Sequence, residues 1–290
     1  MKKHLTITLF ITCTMLIVAG CKKESVSDTT SSAAQLPTVT TSGITGVTQK
    51  SADCGGNISN DGGDAISTRG ICWSTEENPT TADKKTVDGK GTGAYTSSLT
   101  DLTSAAVYYV RAYASNSKGT AYGNTVKFMA VEIGQSYQGG TIAYILQDRD
   151  PGYTANATHG IIASPKTSNA NKWFAVKLCA TTGATATGLG TGNANTNLIV
   201  ATFGAGSYAA SDCFNQKQNN YDDWYLPSKD ELNKLYLARN KISSLPPDGY
   251  LWTSSEVSAN EVWIQSFTTG VQSTYDKNGS GFWTWAIRSF

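Results

Sequence analysis

The stretch Tyr221-Asp222-Asp223-Trp224-Tyr225-Leu226-Pro227-Ser228-Lys229-Asp230-Glu231-Leu232-Asn233-Lys234-Leu235-Tyr236 leaves the chain little conformational choice. Ser228 and Glu231 have the capping-box spacing, in which each side chain reaches back to a backbone N–H at a helix start. Pro227 cannot lie inside that helix and fixes where it begins. Leu232, Leu235, Tyr236 and Ile242 recur at helical spacing and make one apolar face. Upstream, Trp224 and Leu226 alternate with Asp223 and Tyr225, as in a short half-buried strand. The reading is a strand running directly into a docked helix. That unit is structural, and nothing in it is overtly catalytic.

The N-terminus carries a different signal. Lys2 and Lys3 precede the mostly apolar Leu5 to Val18, fourteen residues where about 20 are needed to span a bilayer. Residues 1–20 read as a signal peptide. Val18-Ala19-Gly20-Cys21 resembles a bacterial lipobox, which implies cleavage before Cys21 and acylation of that residue. N-terminal acyl chains then make the membrane the first partner, because several chains hold where one is marginal. The implied location is the bacterial cell envelope, as an outer membrane lipoprotein facing either the surface or the periplasm. Residues 21–36 are polar and low in complexity and read as a flexible tether.

From 37 to 129 the pattern is of short strands separated by turn signals, as in an all-β sandwich. Ala52 to Ile58 is closed by the turn cluster Asn60-Asp61-Gly62-Gly63-Asp64, and Arg69 to Ser74 follows. In Leu102 to Ala114, Leu102, Tyr108, Val110, Ala112 and Ala114 point inward, with Tyr108 placed as a tyrosine corner. Tyr122 to Phe128 is the last strand. Cys54-Gly55-Gly56-Asn57-Ile58, Arg69-Gly70-Ile71-Cys72-Trp73-Ser74 and Tyr108-Tyr109-Val110-Arg111-Ala112-Tyr113-Ala114 resemble a fibronectin type III-like module of Bacteroidetes surface lipoproteins. Such modules act as spacers or docking elements. Cys54 and Cys72 are a candidate disulfide in an exported chain, with two buried thiols as the alternative.

Residues 133–290 form the second module. Gly134 to Gln147 reads as a hairpin turning at Gly139-Gly140, and His159 to Ser164 as a strand. Asn195 to Phe203 and Tyr208 to Gln216 read as helical. Tyr250 to Ser255, Val262 to Phe267, Val271 to Lys277 and Trp283 to Phe290 read as strands. Asp223-Trp224-Tyr225-Leu226-Pro227-Ser228-Lys229-Asp230-Glu231-Leu232 resembles the core motif of the Lcl C-terminal domain family, named for a Legionella collagen-like adhesin. Asn195-Thr196-Asn197, Gly206-Ser207-Tyr208-Ala209-Ala210 with Cys213, Tyr250-Leu251-Trp252-Thr253-Ser254-Ser255-Glu256 and Ala286-Ile287-Arg288-Ser289-Phe290 fit beside it. The resemblance implies an α+β, C-type lectin-like fold displayed on cell surfaces. The founding adhesin binds sulfated glycans.

That ligand class wants excess positive charge. From Gly134 onward the chain carries eleven Lys and Arg against eleven Asp and Glu. The whole chain stands at +1, so bulk charge advertises no nucleic acid or other polyanion. Catalytic residues are expected to be none. His159 is the one histidine after the signal peptide and reads as a strand-edge residue, and no Gly-x-Ser-x-Gly elbow accompanies it. The Gly/Thr/Ala loop Thr181 to Thr191 lacks the Gly-Lys-[Ser/Thr] ending of a phosphate cradle. No metal site is expected. Asp148-Arg149-Asp150 and Asp222-Asp223 lack the spacing of a calcium loop and read as solvated turns, with Ca²⁺ left open by the lectin relationship. The related formylglycine-generating enzymes use paired reactive cysteines, but Cys179 and Cys213 do not sit in that motif and read as a candidate disulfide or inert thiols.

The tryptophans decide where a ligand would touch. Trp224, Trp252 and Trp263 are expected in the core. The polar loop Tyr275-Asp276-Lys277-Asn278-Gly279, followed by Trp283, reads as the exposed contact surface, with Tyr275, Lys277, Asn278 and Trp283 as the contact residues. The functional expectation is a non-enzymatic surface protein binding glycan or protein. A structural envelope component without a small ligand is the alternative, and an enzyme is the weaker one.

Overall fold

The computed structural model describes residues 33–155, 157–168, 172–174, 180–246 and 248–290, without the side chains of 166–168. Residues 1–20, Cys21, most of the tether and Cys179 lie outside these. Ala34 to Phe290 forms one compact unit, mostly β-sheet.

Its first eight strands are β1 (Thr38–Thr41), β2 (Ala52–Asn60), β3 (Thr68–Ser74), β4 (Lys84–Lys85), β5 (Gly93–Leu99), β6 (Val107–Asn116), β7 (Gly119–Tyr122) and β8 (Val126–Met129). They form two antiparallel sheets. One has the order β1-β2-β5, the other β4-β3-β6-β7, with β8 also paired to β6. Alternation along β6 sends Tyr108, Val110 and Ala112 into a core shared with Ala52, Cys54 and Leu99 of the facing sheet. The Tyr108 hydroxyl accepts the Thr103 N–H at 2.9 Å, pinning the preceding loop as expected of a tyrosine corner. The N-terminal region is thus a β-sandwich.

The expected Cys54–Cys72 bridge is not formed; both are buried free thiols. The reason is strand parity. Ile71 and Trp73 of β3 face the sandwich core together with Cys54, so Cys72 between them faces the other way. Its Sγ lies 3.4 Å from the Pro79 carbonyl and 3.5 Å from that of Arg111. Cys213, the described half of the second candidate pair, is also a buried free thiol.

The join to the C-terminal region is packed. Ala130 belongs to the sandwich core and Val131 to the next one, and neither exposes any surface. Gln49 Nε2 donates to Glu132 Oε1 at 2.8 Å, and Gln135 Nε2 to Ser104 Oγ at 2.9 Å.

Beyond the join come β9 (Ser136–Tyr137), β10 (Gly140–Ile145), β11 (Gly160–Ser168), α1 (Gly192–Phe203), α2 (Ala209–Phe214), α3 (Lys229–Ala238), β12 (Tyr250–Glu256), β13 (Glu261–Ser266), β14 (Gln272–Asp276) and β15 (Thr284–Ser289). The hairpins and helices read from the sequence are all present. A sheet of order β15-β11-β10-β9 stands beside one of order β12-β13-β14. The first is buried on both faces. Ile142, Ile162 and Ala286 face a core containing Trp173, Trp224 and Trp252, while Ala143, Ile161, Ala163, Trp285 and Ile287 face Leu232, Leu235 and Ala238 of α3. Continuous apolar runs such as Gly160-Ile161-Ile162-Ala163 are what such a strand requires. The segment ahead of α3 is divided the same way, with Trp224 and Leu226 in the first core and Tyr225 in the second.

The α3 cap forms as expected. Ser228 Oγ accepts the Glu231 N–H at 3.4 Å, and Glu231 Oε2 accepts the Ser228 N–H at 2.8 Å. Trp263, expected in the core, is only half-buried. Parity again explains it: Val262 and Ile264 take the core face, and Trp263 lies on the other under Lys229, whose Nζ is 4.7 Å from its ring centre.

Candidate functional site

The Gly/Thr/Ala loop between Thr181 and Thr191 carries no bound phosphate motif, yet it does hold anions, and they are the protein's own. Glu256, at the end of β12, accepts N–H bonds from Thr182 at 2.9 Å and Gly183 at 3.0 Å, with the Thr182 hydroxyl at 3.0 Å. Glu231 Oε1 accepts the Gly190 N–H at 3.0 Å at the other end. Between them Ser255 Oγ and Asn195 Nδ2 donate to the Ala186 carbonyl at 2.7 and 2.6 Å, and Ser228 Oγ to that of Gly188 at 2.8 Å. The loop is polar because its backbone is spent on buried side chains. Gly183 and Gly190 sit at φ of +79° and +83°, a region in which other residues are strained.

Lys277 completes this lock. Its side chain is fully buried, donates to Glu256 Oε1 and to the Ser258 carbonyl (2.6 Å), and lies 4.6 Å from the centre of the Trp173 ring. The expectation that Lys277 contacts ligand is therefore wrong. A lysine among Asp276, Asn278 and Gly279 reads as a surface charge, but the partner that draws it inward is far away in sequence. The effect is to nail the turn after β14 onto the end of β12.

What remains at that turn is an aromatic surface on a fixed base. Tyr275 and Tyr250 are exposed, at 44% and 45%. Phe282 is half-buried between them, with ring centroids 4.8 Å from Tyr275, 5.4 Å from Tyr250 and 4.6 Å from the buried Trp252. A Cβ on Gly279 would stand 2.3 Å from the Tyr275 ring, so only glycine lets that ring lie on the turn. Asn278 is exposed and donates from its backbone N–H and its Nδ2 to Asp276 Oδ1, at 2.7 and 2.9 Å. Trp283 departs from expectation. It is half-buried, packs against the α3-side core, and carries the backbone bonds to Tyr250 and Trp252. Of the four expected contacts, Tyr275 and Asn278 stand at the surface. Tyr250 and Phe282 were missed, although each neighbours a residue singled out in the sequence.

Exposed β14 beside these rings offers polar side chains and an open strand edge. Flat aromatic faces with amides and carboxylates alongside suit the C–H faces and hydroxyls of sugars, or apolar side chains of a protein. The acidic runs are committed elsewhere. Arg288 pairs bidentately with Asp223 at 2.6 and 2.9 Å, and Asp150 accepts from the Tyr144 hydroxyl at 2.6 Å and the Gln147 N–H at 2.7 Å. His159 is exposed just ahead of β11, its Nδ1 3.2 Å from the Phe290 carbonyl.

No family model matches the chain, and no curated protein matches it. Solved structures do, over parts of it. A fimbrial protein from Bacteroides ovatus is 11% identical over 77% of this chain and 64% of its own, with a TM-score of 0.37. The third fibronectin III domain of human KIAA0343 is 16% identical over 42% of this chain and 99% of its own, with a TM-score of 0.22. The sensor domain of the anti-sigma factor RsgI4 of Pseudobacteroides cellulosolvens is 12% identical over 34% of this chain and 98% of its own, with a TM-score of 0.27. Likeness at this level carries no argument about function.

Proposed function

We propose that the protein is a non-enzymatic lipoprotein of the bacterial envelope, anchored through acylated Cys21, that binds glycan or protein partners with a C-type lectin-like C-terminal module of the Lcl type. The module is carried on a fibronectin type III-like sandwich. The observation that supports binding is the Tyr250–Phe282–Tyr275 surface, an exposed aromatic patch on a turn that the buried Lys277–Glu256 pair holds still. A rigid aromatic anchor loses little entropy on contact, which is where such surfaces gain affinity. The lipobox resemblance supports display on a membrane, and the near-neutral module supports a neutral ligand over a sulfated one.

The test is a glycan array, and a pull-down from intact cells, with the full chain and with Tyr275→Ala and Phe282→Ala. Loss of at least tenfold in binding is the expected result for both, with unchanged melting in Tyr275→Ala and lowered melting in Phe282→Ala, whose ring packs on Trp252. Full binding by both variants overturns the assignment of this surface, and absence of any ligand for the parent chain returns the reading to a structural envelope component.

A further inference from the structure

We propose a second ligand site, for a single neutral sugar ring or a cyclic polyol of that size, in the pocket between the Leu146–Gly152 segment and Leu189–Gly190. It lies apart from the aromatic surface and does not depend on it. The cavity is about 290 Å³, at the lower end of ligand pockets, which suits one ring and not an extended chain.

Its walls and floor differ in chemistry. Leu146, Ile161, Leu189 and Phe290 give apolar walls. Glu231 and Ser289 supply polar lining; behind them the buried Tyr225 O–H donates to Glu231 Oε1 at 3.3 Å and stands 3.0 Å from Ser289 Oγ, linking the two. Ser289 is exposed, and its hydroxyl rotates to donate or accept. His159 stands at the rim; with Nδ1 at the Phe290 carbonyl, Nε2 is the nitrogen available to a ligand. A pyranose has this same division, with an apolar C–H face and a rim of hydroxyls.

Charge narrows the class. No Lys or Arg is among the described residues lining the pocket, and Glu231 repels a carboxylate or sulfate. An ammonium finds no unpaired anion either, because Glu231 already receives hydrogen bonds from Gly190, Ser228 and Tyr225. Neutral hydroxyls remain. The site is also built in advance. Gly190 is fixed by Glu231, Asp150 ties the opposite segment to Tyr144 and Gln147, and the Phe290 ring lies so close to Gly160 that a Cβ there would meet it at 2.7 Å.

The experiment is saturation-transfer NMR on the full chain in detergent with glucose, galactose, mannose and N-acetylglucosamine, beside glucosamine and glucuronate. With the aromatic surface removed by Tyr275→Ala, at least one neutral sugar should still bind saturably; in that background it should bind at least tenfold more weakly with Ser289→Ala added and not at all with Pro151→Trp added, which sets an indole at the mouth from an exposed position. The difference between the parent chain and Tyr275→Ala reports the aromatic surface, so failure here and failure of that surface are distinguishable. Thermal melting checks each variant, and Pro151→Trp carries the test where Ser289→Ala is unstable. Saturable binding by none of the four neutral sugars overturns the proposal. Retained binding when Pro151→Trp is added to Tyr275→Ala, or tighter binding of either charged sugar than of the neutral ones in the Tyr275→Ala background, does so too.

Discussion

Lys277 reaches Glu256 entirely out of solvent, with side-chain exposures of 0% and 1%. One carboxylate thereby joins the turn after β14, the end of β12 and the Thr182–Gly183 backbone. Lys277→Met leaves a buried charge with its cation gone, and such losses cost about 3–5 kcal/mol. Adding Glu256→Gln removes the stranded charge and should recover part of that. Urea unfolding of both variants measures it, and a Lys277→Met chain as stable as its parent would show that the pair holds nothing.

The α3 cap predicts a smaller effect. Ser228→Ala removes an acceptor that the helix cannot replace, and should cost about 1 kcal/mol. Trp224 is buried and donates its indole N–H to the Tyr221 carbonyl at 3.2 Å. Trp224→Ala should therefore cost more, about 3–5 kcal/mol. Calorimetric melting of the two variants ranks them; the reverse order would mean that the cap, not the core, carries this segment.

Two carboxylates give opposite pH dependences. The Arg288 guanidinium holds Asp223 below its usual 3.8, so its stabilisation is present above that value and lost as pH falls through the lower folded one. Burial raises Glu231 above 4.5, so its contribution is complete below 4.5 and lost as pH rises through the higher folded value. Asp223 is half-exposed, which limits Asp223→Asn to about 1 kcal/mol at neutral pH. That deficit should shrink as pH falls below 3.8, whereas any deficit of Glu231→Gln should not shrink in step with it. Melting curves at pH 3, 5 and 7 read both.

Burial pushes the Cys54 and Cys72 thiols up to about 11, and the thiolate is the reactive form. Neither should take iodoacetamide in the native protein at neutral pH, and both should after unfolding without reductant. Protection that persists in urea until reductant is added would restore the bridge.

If acylated Cys21 is the anchor, as proposed, Cys21→Ser should move the protein from the membrane to the soluble fraction. Fractionation with and without detergent decides it, and continued membrane association of the variant removes the lipid anchor from the proposal.

Local and periodic features were legible in the sequence. The Ser228–Glu231 spacing, the Tyr108 corner and the β13–β14 hairpin each involve neighbours whose geometry the chain alone dictates. Parity is legible too: Ile71 and Trp73 inward put Cys72 outward, and Val262 and Ile264 inward do the same for Trp263. The Lys277–Glu256 pair was not. Nothing near Lys277 marks it as buried, because its partner arrives through the fold of a hairpin and a loop. The role of the Thr181–Thr191 loop was hidden for the same reason, its lack of an apolar period reflecting hydrogen bonds to Ser228, Glu231, Ser255 and Glu256 from distant elements.

The buried join at Ala130 and Val131 has a mechanical consequence. In a tethered protein, tension on the anchor travels along β8 and arrives at Val131, which is buried in the C-terminal core that also holds Ile142, Trp173 and Trp252. Between the two regions the described join offers no slack to extend. A pull that separates the two regions must break the Gln49–Glu132 and Gln135–Ser104 hydrogen bonds and extract Val131 together. Force should therefore be resisted by the cores themselves, and the sandwich should move with its cargo as a lever arm instead of swinging beneath it.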